Sequence, residues 1–218
     1  MKHWMSGIEG GNSGLPLMVN GHFHFSPLTQ KTIGVLHMNQ AKSLVVGLAA
    51  RIAAGKTTAA TFLRDNLGFE VIATRDIIGD LITADGRQTN DTTLREYGAS
   101  LMTEAGSIDF CNGIIRRISP GRDYVIDALR PVAHYDLLKQ RIENFCLFYI
   151  HAPANIRRDR FVARGGTRDS SIEAFQAREE HPVEQEVALL MDYADVVFVH
   201  RELHIFRQQL VAWVQLMR

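Results

Sequence analysis

An α/β fold built on a parallel sheet follows from three features of this sequence. Short apolar runs alternate with stretches of helical periodicity from Leu44 to the carboxyl end, the pattern of strands joined by crossover helices. The first run, Ser43 to Ala50, is apolar after its serine, as a strand covered on both faces must be. Gly68, Pro120-Gly121 and Gly165-Gly166 punctuate the runs, where turns are needed.

The elements follow in order. After the first strand, Lys56 to Asn66 reads as a helix ended by Gly68, and Phe69 to Ala73 as a second strand. Helices are expected over Asp76–Thr83 and Thr92–Ser119, the latter broken near Gly106. Tyr124-Val-Ile-Asp127 is a third strand, followed by a helix from Val132 to Glu143. Phe145 to Ile150 is a fourth strand, leading into an arginine-rich helix over 154–164. Ile172 to Met191 has helical pattern, and Val196-Val-Phe-Val199 is a fifth strand. In the last helix Leu203, Phe206, Leu210, Trp213 and Met217 recur at spacings of three and four, which predicts one core-facing stripe.

The 218 residues include 24 basic and 24 acidic groups, so the chain is neutral in sum. That balance disfavours long polyanions and anionic membranes as partners, and no apolar stretch reaches the roughly 20 residues of a spanning helix. Cys111 and Cys146 are the only cysteines. Both fall in helix or strand and read as small buried hydrophobes of a cytoplasmic protein, not as a disulfide framework. Residues 1–42 are rich in glycine and poor in charge. They read as a poorly ordered leader, vector-derived or misassigned, with the natural start at Met38. The pair His22 and His24 lacks a third ligand nearby in sequence, which makes a metal site there a weak expectation.

One motif carries chemistry. Gly47-Leu-Ala-Ala-Arg-Ile-Ala-Ala-Gly55-Lys56-Thr57-Thr58 lies between the first strand and the first helix, the context a phosphate-binding P-loop requires. Backbone amides of Ala53, Ala54, Gly55, Lys56, Thr57 and Thr58 would cradle phosphates. Gly55 permits close backbone approach, Lys56 would reach the β and γ phosphates, and the Thr57 hydroxyl would face Mg²⁺. Ala50 stands where the pattern has its first glycine, and Ala53 where glycine is frequent. A methyl costs about 1 kcal/mol wherever φ must be positive, so binding is expected to survive if both alanines adopt negative φ, and a degenerate loop that binds nucleotide poorly is the alternative.

Segment 43–58 resembles the opening of dephospho-CoA kinases and of nucleoside and deoxynucleoside monophosphate kinases. Weaker likenesses continue downstream. Phe69-Glu-Val-Ile with Asp76 resembles the second strand and acceptor-side aspartate, and Thr93-Leu-Arg-Glu-Tyr-Gly98 the acceptor helix of phage-type deoxynucleotide kinases. Val125-Ile-Asp-Ala-Leu-Arg130 is similar to the third strand of archaeal kinase-like proteins. Ala152-Pro153 with Arg157, Arg160 and Arg164 looks like the helix leading to a lid, and Tyr193-Ala-Asp195 is also typical.

The resemblance implies roles for individual residues. Arg157, Arg160 and Arg164 share a helix face by their spacing and would close over the triphosphate, a solvated face being the alternative. Arg168 could join them, whereas Arg178 reads as a surface charge. Asp127, at the end of a buried strand, would hold Mg²⁺ through water. Arg130 would grip an acceptor phosphate or simply pair with Asp127. Asp76 would orient the acceptor or cap its helix, and Arg75 and Arg95 are further acceptor-phosphate ligands. No Asn-Lys-x-Asp guanine signature is present, and Ala128 rather than Glu follows Asp127, which favours transfer over hydrolysis.

The expected protein is therefore a P-loop NTPase fold with a five-stranded parallel sheet in the order 2-3-1-4-5, helices on both faces, and a small lid at about 165–185. Its domains would be the leader 1–42 and a kinase domain 43–218. The expected activity is ATP- and Mg²⁺-dependent phosphoryl transfer to a small acceptor by a monomer or homodimer, most readily a nucleoside or deoxynucleoside monophosphate. Dephospho-CoA is the second acceptor, and a non-catalytic nucleotide sensor the rival class.

Overall fold

The computed structural model describes residues 17–19, 22–24, 43–165 and 170–218. The chain divides into two units between His37 and Met38. Within the first, Leu17–Val19 and His22–His24 pair antiparallel. The remainder of the expected leader, the side chains of His22 and His24, and Arg168 lie outside the described residues.

The second unit is built on five strands: β1 (Val45–Ala49), β2 (Glu70–Ile72), β3 (Tyr124–Ile126), β4 (Phe145–His151) and β5 (Val196–Val199). They run parallel in the order β2-β3-β1-β4-β5, the expected 2-3-1-4-5. The helices are α1 (Lys56–Leu67), α2 (Thr74–Ala84), α3 (Asp91–Ser100), α4 (Glu104–Ile115) and α5 (Val132–Arg141). Beyond β4 come α6 (Ala154–Ala163), α7 (Ile172–Glu179), α8 (Pro182–Leu189) and α9 (Leu203–Met217).

Alternation along the strands explains why β1 is apolar throughout. Val46 and Leu48 enter a core shared with Ala59 and Leu63 of α1 and Phe206, Leu210 and Val214 of α9. Val45 and Ala49 face the other side, among Ile77 of α2, Phe110 and Ile114 of α4, Leu138 of α5 and Val187 of α8. Each face is thus closed by its own helices, and a polar side chain on β1 would be buried on either one. The cysteines divide likewise, Cys146 on the first face and Cys111 on the second. Both are free and buried, and burial pushes both thiols up to about 12, which makes them inert.

One expectation about helices is met and two are corrected. The stretch 92–119 breaks at Leu101–Thr103, ahead of Gly106, which lies in the first turn of α4. A Cβ on Gly106 would stand 2.5 Å from the Ser100 carbonyl oxygen, so the glycine lets the two helices meet at the break. The stretch 172–191 is two helices, because Pro182 has no amide to continue α7 and instead opens α8 at a position where none is needed. In α9 the buried stripe is Phe206, Leu210 and Val214, while Leu203 and Trp213 are 43% and 38% exposed. Among the described residues no helix is long and apolar enough to cross a membrane.

Candidate functional site

Parallel strands bring all their carboxyl ends to one edge of the sheet, where ligands bind in open α/β folds. At that edge β1 passes into the loop 50–55, and α1 starts at Lys56 with no side-chain cap. The amides that open α1 therefore have no acceptor within the helix, leaving a concentration of donors at its positive end. Gly55 makes the last turn of the loop at φ +117°.

His200, the first residue after β5, shapes this loop and was not singled out from sequence. Its Nδ1–H donates to the Ala54 carbonyl at 2.8 Å, and its ring stacks on Phe206 at 4.2 Å between centroids. A Cβ on Gly55 would lie 2.4 Å from that nitrogen. A glycine is thus needed for the approach of His200 as well as for the positive φ. The only sequence signal was a polar residue closing an apolar strand.

Ala53 does not meet the condition of negative φ. Its φ is +58°, the sole positive value of a non-glycine residue among the described residues. Ala50, by contrast, avoids that region, so its methyl carries no such strain. The left-handed conformation costs an alanine roughly 1–2 kcal/mol. Ala53 is 6% exposed and its methyl packs with Phe161 of α6 and Phe175 of α7. Burying one methyl returns about 0.8 kcal/mol, which offsets much of the strain.

Lys56 is the electrostatic centre. Its ammonium donates to the Ala50 carbonyl at 2.5 Å, folded back over the mouth of the loop. Burial lowers its pKa to about 8; Glu184 and Asp127 oppose the shift, and Arg130 and Arg164 reinforce it. Three of the residues expected around the phosphates, Asp127, Arg130 and Arg164, are therefore within electrostatic reach of this ammonium, although they come from distant parts of the chain.

Asp127 lies one residue beyond β3 and is half-buried. Its Oδ1 accepts the Thr74 amide at 2.9 Å, which supplies to α2 the cap that Ala73 cannot give. It does not pair with Arg130, which is exposed. Asp76 does not cap α2 either: it sits in the first turn, exposed and favourably placed against the helix dipole. Arg75 and Arg95 meet at Asp91, Arg75 through an ion pair of 2.7 Å and Arg95 through the Asp91 carbonyl at 3.0 Å. These two form an exposed cluster at the start of α3, apart from the contacts of Lys56.

The arginine face of α6 runs from buried to exposed. Arg157, 4% exposed, donates to the Ala152 carbonyl at 2.9 Å and the Ile52 carbonyl at 3.4 Å, and makes a two-pronged ion pair with Glu179. Glu179 also pairs with Arg51 of the loop. Arg157 is thus committed to protein partners and braces the loop from behind. Arg160 donates to the carbonyls of Ala54 at 3.4 Å, His200 at 3.1 Å and Arg201 at 3.1 Å. Arg164, at the end of α6, is exposed. Arg178 lies over the Phe161 ring at 5.6 Å, on the surface as expected.

Glu184 of α8 was also missed. Its Oε2 accepts the Ile52 amide of the loop at 2.7 Å. In sequence Glu179 and Glu184 are two acids of an amphipathic stretch, with nothing to tell them from the solvated Glu180 and Glu186.

A cavity of about 340 Å³ adjoins the first turns of α1, lined in part by Thr57, Thr58, Phe62 and Arg207. A larger one of about 940 Å³ opens at the other end of the sheet, beside Leu44, Glu70 and Asn144, away from these groups.

No family model matches this chain. It is similar to a UPF0200 protein of Aeropyrum pernix, 23% identical over 157 residues, covering 72% of this chain and 84% of that protein. A UPF0200 protein of Pyrobaculum aerophilum is 24% identical over 157 residues, covering 72% and 87%. Among solved structures, the TT1252 protein of Thermus thermophilus superposes with a TM-score of 0.54 at 16% identity, over 80% of this chain and 97% of that one. Shikimate kinase from Acinetobacter baumannii superposes with a TM-score of 0.50 at 15% identity, over 81% and 93%. At such identities the likeness concerns the fold alone: the five-stranded parallel sheet with its flanking helices.

Proposed function

We propose that this chain is an ATP- and Mg²⁺-dependent phosphotransferase acting on a small phosphate-bearing acceptor, with nucleoside or deoxynucleoside monophosphates first and dephospho-CoA second. The observation that carries the reading is the approach of Asp127, Arg130 and Arg164 to a half-buried Lys56 beside an uncapped helix start. A half-buried ammonium with Arg130 and Arg164 near it favours a further anion beyond Asp127 and Glu184, and phosphoryl transfer asks a protein mainly for positioning and charge neutralisation.

In this reading the loop amides of 53–58 hold the phosphates and Lys56 leaves the Ala50 carbonyl for them. The residues fit a divalent cation: the Thr57 hydroxyl is exposed at the helix start, and Asp127 engages one carboxylate oxygen with Thr74 and keeps the other. Thr57 and Asp127 would hold Mg²⁺, which would supply charge neutralisation for the phosphates. Arg160 and Arg157 brace the loop, Arg164 and Arg130 remain for the triphosphate and acceptor, and Asp76, Arg75 and Arg95 flank the acceptor side.

The test is a screen for phosphate transfer across nucleoside monophosphates, deoxynucleoside monophosphates and dephospho-CoA, alongside thermal shift with ATP and Mg²⁺. Lys56→Ala should abolish both transfer and the shift. Asp127→Asn keeps an oxygen for the Thr74 amide, so it should cost about 1 kcal/mol of stability at most while removing Mg²⁺-dependent transfer. No shift with any nucleoside triphosphate would refute the kinase reading. A shift without transfer would support the sensor reading, which the strained Ala53 favours.

A further inference from the structure

Two acidic side chains beyond α6 reach the phosphate loop, and they do different work. Glu179 is matched by Arg51 and Arg157, so its charge is satisfied where it stands. Glu184 instead occupies a backbone donor of the loop itself, the Ile52 amide, at 2.7 Å. Amides that follow the first strand of such a fold are anion donors by geometry. The Ile52 amide stands next to the amides of 53–58 read as the phosphate cradle, so this carboxylate sits at the rim of that cradle, and no other charge favours the Lys56 ammonium more.

We propose that Glu184 is a resident anion on the phosphate loop, which an incoming polyphosphate must displace, so that this carboxylate sets the affinity for nucleotide. The inference rests on the phosphate-loop reading above. Displacement needs no movement of α8. Val187 and Leu190 are 2% and 0% exposed and root the helix in the core. Glu184 is half-buried, and rotation about its side-chain bonds carries the carboxylate from the loop toward solvent. With the acid gone from Ile52, the ammonium of Lys56 exchanges one anion for another.

The test compares Glu184→Gln with the unmodified protein, using ATP, inorganic tripolyphosphate and adenosine as ligands in calorimetry. Gln keeps an oxygen for the Ile52 amide and removes only the charge. Because a hydrogen bond to a charged group outweighs a neutral one and the like-charge repulsion disappears, ATP and tripolyphosphate should bind at least about tenfold more tightly. Adenosine, which carries no phosphate, should show no gain. Glu186→Gln, the same charge change at an exposed site of α8, should alter nothing. Unchanged or weaker binding of ATP to Glu184→Gln would overturn the proposal and leave the kinase reading standing. Failure of every phosphate ligand to bind either protein would overturn both.

Discussion

Gly55→Ala should be among the most damaging single-methyl changes in this chain, through collision rather than through lost burial. The new side chain has to adopt φ +117°, which costs an L-residue roughly 1–2 kcal/mol. Its Cβ would also stand 2.4 Å from His200 Nδ1 and 2.8 Å from Cε1. The ring cannot simply retreat, because it is 5% exposed, stacks on Phe206 and is bonded to the Ala54 carbonyl. Overpacking of this kind adds roughly 1–3 kcal/mol. The total, about 2–5 kcal/mol, corresponds to a fall in Tm of roughly 4–20 °C for a chain of this size. The assay is urea and thermal unfolding followed by circular dichroism, with Gly68→Ala as the comparison. Gly68 has φ +74° and open space where its Cβ would be, so Ala there carries the backbone strain alone. Equal losses for the two variants would refute the role given to His200.

Further outcomes follow from charges. With Lys56 at about 8, nucleotide affinity should be level below that pH and fall up to tenfold per unit above it, as calorimetry between pH 7 and 9.5 would register. Stability moves oppositely: the unfolded chain holds this proton up to 10.5, so between the two values it binds more protons and the folded state gains as pH rises. Glu179→Ala should cost about 3–5 kcal/mol by chemical unfolding, since it strands the buried Arg157 guanidinium. Removing Arg157 as well should cost less than the two single losses together.

The doubly covered sheet was legible because its determinants are local: apolar runs too short for helices, and glycine or proline between them. The strand order was also foreseen, through the resemblance carried by 43–58. The break beside Gly106 was legible too, whereas the one at Pro182 was not, since periodicity continues across a kink even when hydrogen bonding stops. Within the site, Lys56, Thr57 and Gly55 could be named because the spacing of one continuous loop defines them. Asp127 could be named because it closes an apolar strand.

What sequence spacing could not weigh was competition among like residues. Arg157, Arg160 and Arg164 have one pattern but three fates, decided by how deep α6 is buried at each turn. Ala53 gave no sign that it would accept positive φ, because its compensation comes from Phe161 and Phe175, more than a hundred residues away. Glu179, Glu184 and His200 matter only because tertiary packing carries them to the loop. The sequence alone determined the strand, loop and helix over 45–67 and the layered sheet, whose causes lie within a few residues of each other. Only the tertiary structure decided which charges face the loop and which are already answered, because an electrostatic interaction depends on distance and burial in space.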